Sequence, residues 1–127
     1  MSSRSWLMLG ALGGLFTVAL GAFGAHGLKN ILDPELLRIF DKGVRYQGLH
    51  SLALLATGLL LREAPLPGLR AAAIAFTLGI ALFSGSLYLL ALTGIRSLGM
   101  ITPFGGLAFL AGWTLLAWGC WKLPERP

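Results

Sequence analysis

Four long stretches of the chain contain no charged residue, and short charged segments separate them. The stretches cover residues 5–28, 46–61, 71–95 and 97–121. A helix needs about 20 apolar residues to cross the hydrocarbon core of a bilayer, which is about 30 Å thick. Three of the stretches are long enough by themselves. They predict transmembrane helices over about residues 6–27, 71–94 and 102–121.

The second stretch is shorter than the others. It reaches spanning length only if the span begins at Val44, or if Lys42 and Arg45 extend their charged ends to the interface. On that condition we predict a further span over about residues 44–61, which makes four. The predicted fold is therefore an all-α membrane protein, a bundle of four transmembrane helices in a single domain over residues 1–127.

The segment between the first two spans holds a cluster of charged residues and has its own helical signals. Asp33 is typical of an N-cap, with Pro34 at the first helical position and Glu35 in the first turn. One helical face then collects apolar residues, namely Leu32, Leu36, Leu37, Phe40 and Val44. The spacing predicts a short amphipathic helix over about residues 34–42 that lies in the membrane interface. A solvated helix without lipid contact is the alternative.

Composition supports a membrane protein. Hydrophobic residues make up 56% of the chain and charged residues 12%. Soluble domains carry about 25% charged residues, so this chain has too few to cover its apolar surface in water. The net charge of +5 would suggest nucleic acid in a soluble protein, but here the basic residues lie at span ends, where they meet lipid headgroups. We expect the lipid bilayer as a partner and no nucleic acid.

The basic residues do not decide the orientation in the membrane. Four spans place both termini on one side, together with Arg4, Arg62, Arg70, Lys122 and Arg126. The opposite side carries Lys29, Arg38, Lys42, Arg45 and Arg96. Because each side has five, the positive-inside rule favours neither orientation.

The first apolar run permits a second interpretation. It ends in Ala22, Phe23 and Gly24, which also fits a signal peptide with its cleavage site. The later spans would keep the chain in the membrane in either case.

The first and fourth spans are rich in glycine. In lipid, helices associate through close backbone contact along faces of small residues, often spaced four apart. We expect such packing faces, toward a neighbouring helix or a protein partner, at Gly10, Gly14, Gly21, Gly24, Gly105 and Gly106.

Two histidines lie toward the same side of the membrane. His26 ends the first span, and His50 follows Tyr46 and Gln47 near the start of the second. Because consecutive spans are antiparallel, these four residues can form one candidate polar site. Such a site fits a proton relay, a metal or a haem, and it fits equally well hydrogen bonds that fix helix packing. The spans supply no Asp or Glu as further ligands, so we predict no metal and no cofactor.

A second polar group lies within the third span, where Ser84 and Ser86 precede Tyr88. Polar side chains at mid-membrane depth can line a transport path, but Ser and Thr also form hydrogen bonds between helices. We interpret this candidate mid-membrane patch as a packing contact, with transport as the alternative. The sequence contains no nucleophile–base pair, phosphate loop or carboxylate dyad, so we predict no enzyme activity.

Four blocks of the sequence together resemble a known family. They are GAFGAHGL, YQGLHSLALL, SGSLYLLALTG and ITPFGGLAFLAGW, which begin at residues 21, 46, 84 and 101. In this order they resemble the YgdD-like small membrane proteins, a family of unknown function to which animal transmembrane protein 256 is similar. The resemblance implies a four-helix integral membrane protein, in the inner membrane if the source is a bacterium. It implies no reaction, cofactor or substrate.

Three hypotheses for function follow. The preferred one is a non-catalytic membrane subunit, assembly or interaction partner that packs through glycine-rich helix faces on other membrane proteins or on itself. The alternative is a small oligomeric transporter or channel in which His26 and His50 form a protonatable gate. The third is a haem- or metal-binding membrane protein.

Overall fold

The computed structural model describes residues 1–126, and four helices account for most of them. They are α1 (Ser3–His26), α2 (Pro34–Glu63), α3 (Pro67–Thr93) and α4 (Thr102–Trp121). A 3-10 turn, Arg96–Met100, leads into α4. No strand occurs among the residues described. The predicted all-α class is confirmed.

Three of the helical segments are long and apolar enough to cross a membrane, namely Ser3–His26, Pro67–Thr93 and Arg96–Trp121. They correspond to the first, third and fourth predicted spans. The helix α2 is not among them, because Gln47 and His50 interrupt its apolar stretch and Arg62 and Glu63 end it. Length and composition therefore support three spans.

The structure corrects the prediction of a separate interfacial helix over residues 34–42. The start of that helix is as predicted, because the Asp33 carboxylate accepts a hydrogen bond from the Leu36 amide at 2.9 Å and Pro34 is the first helical residue. The helix then continues through Gly43 without a break, as far as Glu63. No proline intervenes, and the Tyr88 ring of α3 packs against Gly43 and supports the helix there.

Each helix packs along its neighbour in the chain. Helix α1 lies along α2, α2 along α3, and α3 along α4. The core between them contains Leu54 of α2, Leu69 and Phe76 of α3, and Phe109 of α4. Helix α1 is the least enclosed, since only 11% of its most apolar stretch of 18 residues is buried inside the protein. Its outward apolar surface suits a lipid environment.

The registers of these antiparallel pairs set the level of every side chain. On α1, Gly10 faces Leu55 of α2. Near the other end of α1, Gly24 faces Phe40 of α2. Helices α3 and α4 are aligned in the same way, with Gly112 of α4 against Phe76 of α3.

An ion pair joins two connections on one side of the molecule. The Arg96 guanidinium donates to both carboxylate oxygens of Glu35, at 2.8 and 3.2 Å. These hydrogen bonds link two exposed, oppositely charged side chains. They hold the turn before α4 against the first turn of α2.

Candidate functional site

His50 is buried in α2, and both of its ring nitrogens have hydrogen-bond partners. Nδ1 lies 2.7 Å from the Tyr46 carbonyl oxygen, and Nε2 lies 3.0 Å from Nε1 of Trp113 on α4. A carbonyl can only accept and an indole N–H can only donate. The imidazole is therefore held as the neutral tautomer that carries its proton on Nδ1.

Aromatic rings enclose the His50 imidazole. Phe109 of α4 stacks on it, with ring centroids 3.5 Å apart and planes inclined by 11°. Phe76 of α3 packs against it at a centroid distance of 5.9 Å. His50 therefore acts as a packing centre between α2, α3 and α4.

Gln47 links three helices through one buried side chain. Its Nε2 donates to the Gly13 carbonyl of α1 at 2.9 Å, and its Oε1 accepts from the Tyr88 hydroxyl of α3 at 2.6 Å. Both ends of the amide are thus used inside the protein. Together, Gln47 and His50 connect α2 to all three of the other helices.

Tyr46 lies beside these residues but has a different role. Its ring is 42% exposed and packs on Phe83 of α3, with centroids 4.5 Å apart. Its carbonyl receives the His50 hydrogen bond, while its hydroxyl makes no hydrogen bond within residues 1–126. Tyr46 therefore contributes a backbone oxygen and a packing surface.

His26 does not join this cluster, which corrects the predicted grouping. It is exposed at the last residue of α1. Because Gly24 faces Phe40, His26 lies near the level of Arg38. That level is about 12 residues, or about 18 Å along the helix axis, from His50. The two histidines lie toward the same end of their helices but at different depths.

The predicted polar patch on α3 forms hydrogen bonds to two neighbouring helices. Ser84 donates to the Gly43 carbonyl of α2 at 2.6 Å. Ser86 lies 2.6 Å from the Thr102 hydroxyl of α4. With the bond from Tyr88 to Gln47, all three side chains are used for contacts between helices. This geometry favours the packing interpretation of the patch.

The patch does not lie at the centre of the helix bundle. Ser84 is level with Gly43, which lies in the charged turn of α2 between Lys42 and Arg45. We predicted a mid-membrane position for these residues, and relative to α2 they are level with this charged turn. They lie at the depth where α2 becomes charged.

A π-helical segment, Ile80–Ser84, immediately precedes the patch. It interrupts the α-helical hydrogen bonds of α3, so that the Gly85 amide bonds to the Ile80 carbonyl five residues back. Such segments hold one extra residue within a turn. Here the segment allows Ser84 to face α2 while Phe83 packs against Gly105 of α4.

The six predicted packing glycines have three kinds of surroundings. An added Cβ at Gly10 would lie 2.8 Å from the Leu55 amide nitrogen, and one at Gly105 would lie 2.7 Å from the Phe83 Cα. Gly24 is also tight, at 3.1 Å from the Phe40 ring. Gly21 and Gly106 have only ordinary contacts. Gly14 has nothing within 4 Å.

Several residues of the site were missed by the sequence analysis. Trp113 and Phe109 complete the surroundings of His50. By sequence alone, Trp113 is typical of the tryptophans that lie at the membrane–water interface. Gly43 supplies both the carbonyl for Ser84 and the space for Tyr88. No local pattern identifies these partners, because they depend on which helix faces which.

The donor set of this site does not fit a haem or a metal. An axial or metal ligand needs a free imidazole nitrogen, and both His50 nitrogens are engaged. Across residues 1–126, no three His, Cys, Asp or Glu side chains come together in a way that could hold a metal ion. Two buried polar atoms have no hydrogen-bond partner in this part of the chain, Trp6 Nε1 and Ser51 Oγ.

Comparisons with known proteins find membrane proteins among the relatives of this chain. The chain is 47% identical to a UPF0382 membrane protein of Haemophilus influenzae, over 94% of this chain and 95% of the relative. It is 44% identical to the UPF0382 membrane protein SSP2132 of Staphylococcus saprophyticus, over 94% of this chain and 99% of the relative. It is also 38% identical to the UPF0382 inner membrane protein YgdD of Escherichia coli, over 99% and 96% of the two chains.

No solved structure matches the chain. The family model described as "Protein of unknown function (DUF423)" matches residues 20–106, which include the charged start of α2, Gln47 and His50, and the polar patch of α3. With three apolar helices able to span a bilayer and membrane proteins as relatives, the chain is an integral membrane protein. It belongs to the DUF423 family of proteins of unknown function.

Proposed function

We propose that this protein is a non-catalytic membrane subunit that spans the bilayer four times and packs against other membrane helices through the outer side of α1. One observation carries the proposal. The candidate polar residues Gln47, His50, Ser84 and Tyr88 are all used in hydrogen bonds between helices, while α1 leaves most of its surface outward.

The outer side of α1 has the composition of a helix contact. Ala11, Gly14, Val18, Ala22 and Ala25 recur at intervals of three or four residues and share one helical face. Gly14 has no neighbour that explains its lack of a side chain, unlike Gly10, which is pressed against α2. Small residues on such a face allow another helix to approach closely. By contrast, Gly10 and Gly24 already pack against α2, and Gly105 already packs against α3.

The fourth span is the part of α2 that follows its charged turn. Helix α2 has 30 residues, which corresponds to about 45 Å and exceeds the bilayer core. Lys42 and Arg45 lie near the start of the span, and side chains tilt toward the N-terminus of their helix. Their charged ends therefore extend toward the nearer interface. The neighbouring helices α1 and α3 support a span at this position.

Cysteine labelling tests the fourth span. Asn30→Cys and Pro65→Cys are made separately in a Cys120→Ser chain that also carries Lys29→Gln and Lys42→Gln to bias its orientation. We expect a membrane-impermeant maleimide to reach these two cysteines from opposite sides of the membrane. Labelling of both from the same side would mean that α2 does not span.

The subunit role is tested by extraction into native nanodiscs, followed by mass determination. We expect a complex larger than one chain, which Gly14→Leu weakens because the added side chain blocks close approach. Ala19→Leu is the matched control, since it adds a similar volume to an exposed position of α1 outside that face. A monodisperse monomer, or equal effects of the two variants, would contradict the proposal.

The transporter alternative gains no support from this geometry, because its two gating histidines lie at different depths and His50 is enclosed by aromatic rings. It still makes a sharp prediction. His50→Ala in liposomes would abolish a measurable flux while the protein remains folded. The subunit proposal expects no such flux in the parent protein.

A further inference from the structure

We infer that the groove between the end of α1 and the start of α2 binds one anionic phospholipid, with an acyl chain against its floor and the phosphate on Arg38. The groove has a volume of about 400 Å³. That size lies within the range of small-molecule sites in proteins. The inference goes beyond the subunit role, because it concerns a ligand of the single chain.

The groove exists because one of its walls carries almost no side chains. Gly21, Gly24 and Ala25 form the wall on α1. On the opposite side, Phe40 and Val44 of α2 supply an apolar floor. An acyl chain can pack closely against these side chains, and close packing is what holds apolar groups together inside a membrane.

The groove lies at the depth of lipid headgroups. Arg4 marks one end of α1, and Gly24 lies 20 residues further along that helix, which corresponds to about 30 Å. This distance equals the thickness of the hydrocarbon core. The level of Gly24 is also the level at which α2 carries Arg38, Asp41 and Lys42. A molecule in the groove therefore meets apolar and charged surroundings at once.

The charge at the rim of the groove is positive. Two charged side chains line it, Arg38 and Asp41. The Asp41 carboxylate is paired with Arg45 at 2.8 Å, whereas Arg38 has no acidic partner within residues 1–126. A guanidinium binds phosphate through two parallel hydrogen bonds. A phospholipid combines this anion with the apolar chain that the floor requires, which neither an isolated phosphate nor an apolar helix provides.

The test is binding of dioleoylphosphatidylglycerol to the purified full chain in mild detergent, followed by native mass spectrometry. We expect one lipid per chain to remain bound. Arg38→Gln should weaken its binding at least about tenfold, because it removes the charged hydrogen bonds from the guanidinium to the phosphate. Lys42→Gln is the matched control, because Lys42 is a neighbouring cation that does not line the groove.

A second pair of variants tests the floor of the groove. Ala25→Leu should remove the bound lipid, because its side chain fills the space that the acyl chain occupies. Ala19→Leu makes the same change outside the groove and outside the small-residue face of α1, and it should have no effect. Circular dichroism confirms that each variant is folded.

Three results would overturn the inference. Equal losses for Arg38→Gln and Lys42→Gln would indicate general attraction to a basic surface. Retention of the lipid by Ala25→Leu would place it elsewhere. Equally strong retention of dioleoylphosphatidylcholine would show that the positive rim does not select an anionic lipid.

Discussion

Two adjacent glycines of α4 show how strongly a single side-chain position depends on its surroundings. A Cβ at Gly105 would meet the Phe83 backbone, whereas one at Gly106 would make only a contact of 4.0 Å with the Phe83 ring. The two positions have the same residue type and the same secondary structure. They differ only in the direction in which a side chain would point.

We expect Gly105→Ala to lower the free energy of unfolding by about 1–3 kcal/mol, because α3 and α4 must move apart to admit the methyl group. Gly106→Ala should be close to neutral. Unfolding in mixed detergent micelles measures both values. Equal destabilisation by the two substitutions would show that the α3–α4 contact is not as close as described.

The two tyrosines near Gln47, Tyr88 and Tyr46, allow a second comparison of matched residues. Tyr88→Phe removes a bond to Gln47 and should cost about 0.6 kcal/mol, with an upper bound of about 1.7 kcal/mol, the range measured between membrane helices. Tyr46→Phe should have no effect, because the Tyr46 hydroxyl has no partner among the residues described. A double-mutant cycle of Tyr88→Phe with Gln47→Leu measures the coupling, and a coupling of zero would contradict the assigned bond.

At the scale of the element, α3 contains one residue more than an uninterrupted α-helix with the same number of turns would contain. The segment Ile80–Ser84 absorbs that residue in a wider turn. The parts of the helix before and after the segment therefore keep their faces toward α2 and α4.

Deletion of Ala81 should convert the segment to regular α-helix and be tolerated, because it removes the extra residue. Deletion of Ile74 lies in the α-helical part and rotates one portion of α3 by about 100° against the other. We expect the second deletion to destabilise the protein far more, measured by the yield of folded protein and its unfolding curve. Comparable losses would show that the π-helical segment does not preserve the facing of the two parts.

The start of helix α2 is set by local residues, whereas its length depends on contacts with a neighbouring helix. Its start follows from local residues, since Asp33 and Pro34 form the predicted cap. Its length does not, because the helix passes through Gly43 where contact with Tyr88 supports it. The sequence predicted a separate interfacial helix because charged residues give way to apolar ones near Gly43. The backbone stays helical across that change in composition.

At the scale of the whole molecule, the distribution of Lys and Arg is balanced, with five on each side of the proposed four-span topology. Within residues 1–126, three of the ten form ion pairs: Arg45, Arg96 and Arg126. The orientation of the chain in the membrane is nevertheless set by the number of basic residues near the spans. We expect the natural chain to insert in both orientations.

A C-terminal reporter in cells measures this orientation. Lys29→Gln with Lys42→Gln should place the C-terminus in the cytoplasm, because the termini then lie on the more basic side. Arg62→Gln with Lys122→Gln should place it outside. A reporter that responds to neither pair would mean that features other than these charges determine the insertion.

By itself, the sequence determined the all-α class, the membrane environment, three spans and the cap at Asp33. These features follow from hydropathy, from run length and from side-chain bonds to the nearest backbone, so each is local. Of the six glycines predicted to form packing faces, Gly10, Gly24 and Gly105 lie close to a neighbouring helix, and the sequence did not distinguish them from the other three.

Only the tertiary structure decided which polar groups meet. It placed His50 against Trp113 and Phe109, moved His26 to another depth and set Ser84 level with the charged turn of α2. A shift of one residue in helix register turns a side chain by about 100° and moves it 1.5 Å along the axis. Contacts between helices depend on that register, which is set by packing between segments far apart in the chain.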